Sequence, residues 1–161
     1  MSQEEGRVAA VCVNDKRELC KYPVPFATAG IYGFDGDRHA GALYKDRKSN
    51  EVVPNIRQIT IIAKEVVDAV SKELNIIIPP GGLGENLLVK GFGDLSDLRW
   101  GEIFEFEAGV VLTVTGQNDP CKKIMVYHKL LVKKIYGKRG VTAIVTTLGI
   151  ISSGEKVILK R

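Results

Sequence analysis

Short runs of β-branched and aromatic residues, punctuated by glycines, limit what this chain can fold into. Residues 7–13, 56–62, 85–90, 102–106, 110–115, 141–148 and 156–159 each have the length and composition of a strand. Gly101, Gly109, Gly149 and Gly154 fall where turns are needed. Helical spacing occurs in two places. Residues 64–74 carry Val66, Val67, Val70 and Leu74 along one face, and Pro79-Pro80-Gly81-Gly82 then breaks the chain. Ile124, Tyr127, Leu131 and Ile135 recur at the same spacing after Pro120. Many strands with two helices predict a mainly β (α+β) fold rather than a βαβ array. Such a pattern suits a barrel or a sandwich, and the expected architecture is a closed or partly open β-barrel with two or more peripheral helices. Residues 22–44, rich in Gly, Pro and aromatics, read as a long loop with a short strand, and a loop of that length is often functional.

A length of 161 residues predicts a single domain over residues 1–161, large enough to form a core without disulfides. Apolar runs such as Ile59-Thr60-Ile61-Ile62-Ala63 fall far short of the about 18 residues a membrane span needs. Glu4, Glu5, Arg7 and Asp15 leave no apolar core for a secretory signal, so a cytoplasmic protein is expected. Three cysteines with no CxxC pair, and His39 distant from His128, argue against a disulfide framework or structural zinc. Charge is split unevenly. Residues 1–121 hold 13 basic and 18 acidic side chains, whereas residues 122–161 hold 10 basic and 1 acidic. The basic end suggests a surface that meets phosphate, sulfate, an acidic partner or nucleic acid. A solvated helix face explains most of these lysines, which disfavours nucleic acid.

Three clusters carry chemistry. Asp119 reads as an N-cap and Pro120 as the first helical residue, which puts Cys121 in the first turn of a helix that Gly137 ends. Unpaired amides and the helix dipole would favour the thiolate there, giving a nucleophile or metal ligand. The plainer alternative is a small residue packed at a helix start. Cys12 lies among valines and is expected to be inert, and Cys20 reads as exposed without a task. The second cluster, Phe34-Asp35-Gly36-Asp37-Arg38-His39-Ala40-Gly41, offers an acid, an anion clamp and an imidazole between glycines. Its alternative is a polar turn. In the third, Pro80-Gly81-Gly82-Leu83-Gly84-Glu85-Asn86-Leu87, closely spaced glycines allow backbone to approach a ligand. No Gly-Lys-Ser/Thr follows, so it is not a Walker loop, and a tight turn whose amides Glu85 and Asn86 satisfy fits equally well.

The order of Gly36-Asp37-Arg38-His39-Ala40-Gly41, Arg57-Gln58-Ile59-Thr60, Gly81-Gly82-Leu83-Gly84-Glu85-Asn86-Leu87, Pro120-Cys121, Gly140-Val141 and Gly149-Ile150-Ile151…Gly154-Glu155 resembles the molybdenum cofactor sulfurase C-terminal (MOSC) domain family. The resemblance runs from Arg7 to the end and implies a strand-rich barrel built around Cys121. It implies that Cys121 carries sulfur as a persulfide, or else ligates molybdenum held by molybdopterin in an enzyme that reduces N-hydroxylated compounds. Asp37 and His39 would then act beside Cys121 as catalytic residues. Arg38, and as a further candidate Arg57, would counter the charge of the anionic cofactor, and Gly84, Glu85 and Asn86 would present the binding turn. Pyridoxal phosphate is expected only through a partner cysteine desulfurase. A molybdoenzyme or cofactor-synthesis protein and a small-molecule substrate are the other expected partners. The competing non-enzymatic reading is a basic binding module using Lys122, Lys123, Lys129, Lys133, Lys134, Lys138 and Arg139.

Overall fold

The computed structural model describes residues 2–161. In chain order the strands are β1 (Gln3–Val13), β2 (Tyr22–Val24), β3 (Phe26–Gly30), β4 (Gly33–Phe34), β5 (Leu43–Lys45), β6 (Val52–Pro54) and β7 (Ile59–Ala63). Helix α1 (Lys64–Leu74) separates these from β8 (Leu87–Lys90), β9 (Ile103–Phe106) and β10 (Val111–Gln117). A 3-10 turn (Lys122–Val126) and the short helix α2 (Leu131–Ile135) lead to β11 (Val141–Thr147), β12 (Gly149–Ser152) and β13 (Lys156–Lys160).

Seven of the strands close a barrel in the order β1-β8-β7-β11-β10-β9-β13, and β13 pairs back to β1. Closure runs antiparallel from Gln3↔Lys160 to Arg7↔Lys156. A closed barrel leaves none of its strands as an unpaired edge. The parallel pair is β7–β8, in register at Ile61↔Leu87, and α1 supplies the crossover that such a pair requires. Alternation sets the interior: Phe104, Phe106, Val157 and Leu159 are buried while their neighbours are not. Strand β7 is buried at every position, because Val66, Val67 and Val70 of α1 are packed onto the core. Among the described residues no helix is long and apolar enough to cross a membrane.

Two expectations change. Residues 22–44 hold β2, β3, β4 and most of β5, where one short strand was expected. Strands β12, β3 and β4 form a small second sheet, and β5 pairs with β6 as a hairpin. These strands are held by backbone pairing such as Ile150↔Thr28 and contain Gly and Pro, so side-chain patterning does not mark them. The helix expected from Pro120 onward is instead two short pieces, and Asp119 and Pro120 precede both. The break has a local cause. His128 Nδ1 accepts the Leu130 amide at 3.0 Å, and the Tyr127 hydroxyl donates to the Gly82 carbonyl at 2.8 Å. Those bonds fix residues 127–130 as a turn, while Ile124, Leu131 and Ile135 still bury their side chains.

Candidate functional site

At one end of the barrel the Asp37 loop, the residues between β1 and β2, the glycine-rich turn and the exit of β10 meet. Asp37 is the hub of the first part. Its Oδ1 accepts the Asn14 amide at 3.0 Å. Its Oδ2 accepts the His39 amide at 3.0 Å and the Lys21 ammonium at 2.7 Å. Both side chains of this ion pair are completely buried. Burial alone would raise the Asp37 carboxyl, but the charge and hydrogen bond of Lys21 and the two amides hold it below the usual range. With its oxygens so engaged, Asp37 positions Lys21 and His39 and does not face a ligand.

Lys21 is the residue that sequence reasoning missed. Burial lowers its ammonium to about 8, against the opposing charge of Asp37. Its Nζ also lies 2.8 Å from His39 Nδ1. An ammonium has no lone pair, so Nδ1 accepts and the ring proton sits on Nε2. Burial and the Lys21 charge push His39 down to about 3, which keeps the imidazole neutral. His39 is therefore held as a neutral ring with Nε2–H as its free donor. Nothing local in Cys20-Lys21-Tyr22-Pro23 distinguishes this lysine from a surface residue.

The glycine-rich turn is anchored from within. Glu85, fully buried, accepts the Gly81 amide at 2.6 Å and the Leu83 amide at 3.1 Å. Burial raises its carboxyl despite those bonds and the nearby Arg139 charge. Asn86 accepts the Thr60 amide at 3.1 Å and donates to the Cys12 carbonyl at 3.1 Å, so it clamps β1 to β7. Glu85 and Asn86 thus hold backbone, as the tight-turn alternative required. Gly81 has φ +80°, and a Cβ there would strike the Lys21 carbonyl. Gly84 is also tightly packed, with a Cβ position 2.8 Å from the Leu19 carbonyl and 3.3 Å from Arg38 Nη2. Arg38 donates to the Leu19 carbonyl at 3.0 Å and to the Lys16 carbonyl at 3.5 Å, which directs it onto the loop between β1 and β2.

A chain of hydrogen bonds joins the Asp37 loop to the strand exit that leads to Cys121. Asn55 donates to the His39 carbonyl at 2.8 Å and accepts the Arg57 amide at 2.9 Å. The Arg57 guanidinium donates to Asn118 Oδ1 at 3.0 Å, and the Asn118 amide donates to the Gly140 carbonyl at 2.9 Å. Cys121 follows with extended backbone (φ −94°, ψ 141°) and caps the 3-10 turn without a side-chain bond. It stands before a five-residue turn, not inside a long helix, so the expected helix-dipole field is absent. Arg139 supplies charge instead. The sequence groups Arg139 with the exposed basic residues of this segment, but it is buried, with Nη2 donating to the Leu83 carbonyl. Its Nε and Nη1 are buried without a partner. Arg139 lies close enough to Glu85, Cys121 and Arg57 to feel their charges. Its place beside Gly140-Val141 is the one sequence signal that could have found it.

The three thiols differ in setting. Cys12 is fully buried, and burial reinforced by the Glu85 charge pushes it up to about 12, as its valine neighbours predict. Cys20 is half-buried rather than exposed, with Sγ 3.5 Å from the Tyr127 hydroxyl. Cys121 is partly exposed beside the buried guanidinium. Among the described residues no group of three or more His, Cys, Asp and Glu could hold a metal ion.

The family model for the MOSC domain matches residues 35–158. YuaD of Bacillus subtilis (strain 168), provisionally described as a metal-sulfur cluster biosynthesis protein, is 29% identical over 144 residues, covering 78% of this chain and 74% of its own length. The crystal structure of the YuaD protein superposes with a TM-score of 0.90 at 23% identity, over 99% of this chain and 98% of that one. YiiM from Geobacillus stearothermophilus gives a TM-score of 0.72 at 19% identity, over 97% and 75% of the two chains. These superpositions establish a shared barrel fold.

Proposed function

The chain belongs to the MOSC domain family, and on that footing we propose that it is a molybdenum-cofactor-related sulfur domain in which Cys121 carries transferable sulfur. The observation that supports this reading is a partly exposed thiol within the field of a buried guanidinium that keeps two donor nitrogens free. The relationship to a protein described in terms of metal-sulfur cluster biosynthesis points the same way. In the sulfur step, the Cys121 thiolate attacks the outer sulfur of a donor persulfide. The donor S–S bond breaks, its electron pair leaves with the donor thiolate, and Cys121 holds a new persulfide. Arg139 offsets the negative charge on that sulfur, and Arg57 adds to the positive potential. His39 offers Nε2–H as a neutral donor, while Lys21 and Asp37 fix its tautomer.

The unpartnered Arg139 N–H groups also fit an anionic cofactor. A molybdenum–pterin group would be held by Cys121 as its protein ligand and by Arg139 and Arg57 against its anionic parts. Bound there, it would supply the redox chemistry for reducing N-oxygenated compounds. A metal at this site would have to bring further ligands, as a pterin dithiolene does, because the described residues offer no ligand cluster.

Intact-mass measurement after treatment with cysteine persulfide tests the first reading. One added sulfur atom is expected on the native chain and on Cys20→Ser, and none on Cys121→Ser. Equal sulfur on Cys121→Ser would refute it. Stoichiometric molybdenum and pterin in protein from a cofactor-competent host would favour the second reading.

A further inference from the structure

Directly after Cys121 the surface changes character. No Asp or Glu occurs between Asp119 and Glu155. Lys122, Lys123, Lys129 and Lys133 are exposed and, among the described residues, form no ion pair. Lys134 alone of this segment's lysines is paired, to Glu73 at 2.5 Å. Between these cations stand exposed apolar side chains: Met125, Val126 at 78% exposure and Leu130. The 3-10 turn, the turn at residues 127–130 and α2 carry them, pinned from beneath by Ile124, Leu131 and Ile135.

We propose that this surface docks an acidic protein that exchanges sulfur with Cys121. The inference rests on the reading of Cys121 as a sulfur carrier and adds the kind of partner that reaches it. The charge is one-sided, so its complement is negative. The apolar members select protein over nucleic acid. Met, Val and Leu have nothing to offer a phosphate backbone, whereas a protein interface combines an apolar centre with a charged rim. The free cations are lysines, point charges without the bidentate fork of arginine, so the choice of partner falls to the apolar members. A surface built on so short a segment suits a small, transient interface of less than about 1,200 Å² in total. A carrier needs that, because its partner must leave after each exchange. In that exchange the partner's persulfide loses its outer sulfur to the Cys121 thiolate, and the partner departs as a thiolate.

Three sulfur donors test the proposal on the full-length protein: a Glu-rich, leucine-bearing peptide with one cysteine persulfide, the same peptide with Gln for Glu, and free cysteine persulfide. Loading of Cys121 is followed by intact mass at low and high salt. The acidic peptide should load about tenfold faster than its Gln counterpart at low salt, and the advantage should fade as salt rises. Lys129→Glu/Lys133→Glu, which keeps the two lysines next to Cys121, should lose that advantage while loading normally from cysteine persulfide. Equal rates for the two peptides, or an advantage that survives in the lysine variant, would overturn the proposal. So would a duplex DNA oligonucleotide that displaces the acidic peptide at equal concentration. If cysteine persulfide fails to load the native chain, the reading of Cys121 fails. Docking is then decided by fluorescence anisotropy of the acidic peptide, without its persulfide, on Cys121→Ser: salt-sensitive binding supports the surface, and no binding removes it.

Discussion

Replacing Lys21 by Met should unbalance the site from its centre. The ion pair to Asp37 is 2.7 Å long and both side chains are completely buried. Removing one member strands a carboxylate in the interior, which costs about 3–5 kcal/mol. Against a typical stability of about 5–15 kcal/mol, that is a large fraction. The remaining contacts to Asp37 are the amides of Asn14 and His39, and they do not replace a full charge. Adding Asp37→Asn removes the stranded charge, so the double variant should recover at least about 1 kcal/mol relative to the sum of the singles. The pH dependence has a defined sign. Without Lys21, burial governs Asp37 and raises its folded pKa above the unfolded value. A raised carboxyl stabilises below the unfolded pKa and loses that stability as pH rises, so the deficit of Lys21→Met should be smaller near pH 4 than near pH 7. Urea unfolding of the four proteins measures all of this. A cost below about 0.5 kcal/mol for Lys21→Met, or strict additivity in the double variant, would refute the reasoning.

Three other outcomes are expected. Gly81→Ala would drive its Cβ into the Lys21 carbonyl and should cost more than about 3 kcal/mol, whereas Gly109→Ala, with open space around it, should cost about 1 kcal/mol; urea midpoints separate them. Asn86→Ala should cost about 1–3 kcal/mol for each buried backbone group it strands, and intact mass should show undiminished persulfide loading of the folded protein. His39, held down to about 3 when folded against an ordinary 6.5, contributes stability that is fully present above pH 6.5 and is lost as pH falls toward the folded value. His39→Gln should flatten that part of the urea-midpoint profile, and an unchanged acid slope would show that another group controls it.

The barrel strands were legible because they bury alternate or continuous β-branched residues: β9, β10, β11 and β13 lie within a residue or two of the runs that mark them. Helix α1 matches its apolar spacing over residues 64–74. Strand β1 begins at Gln3, earlier than residue 7, because its polar start is ordered by backbone pairing to β13 rather than by hydrophobicity. The site was half legible. Asp37, His39 and Cys121 stand in recognisable clusters, but Lys21 and Arg139 look like ordinary surface cations in one dimension. The Asp37 loop and the glycine-rich turn pack against them only in the folded chain, and no local pattern records a contact between residues as distant as Arg139 and Leu83.

That burial also sets the charge balance at this end of the barrel. Lys21 is balanced by Asp37, and Glu85 is held chiefly by its own turn. Arg139 then remains with two donor nitrogens unmatched, and Arg57, bound to a neutral amide, adds a further cation. The local sum of Lys21, Arg57 and Arg139 against Asp37 and Glu85 is therefore positive. The apolar core around these groups makes that imbalance costly to leave uncompensated. The imbalance favours an anion beside Cys121, whether that is the thiolate, its persulfide or a negatively charged cofactor; a neutral acceptor pairs with the N–H donors but leaves the charge uncompensated, and a cation adds to it.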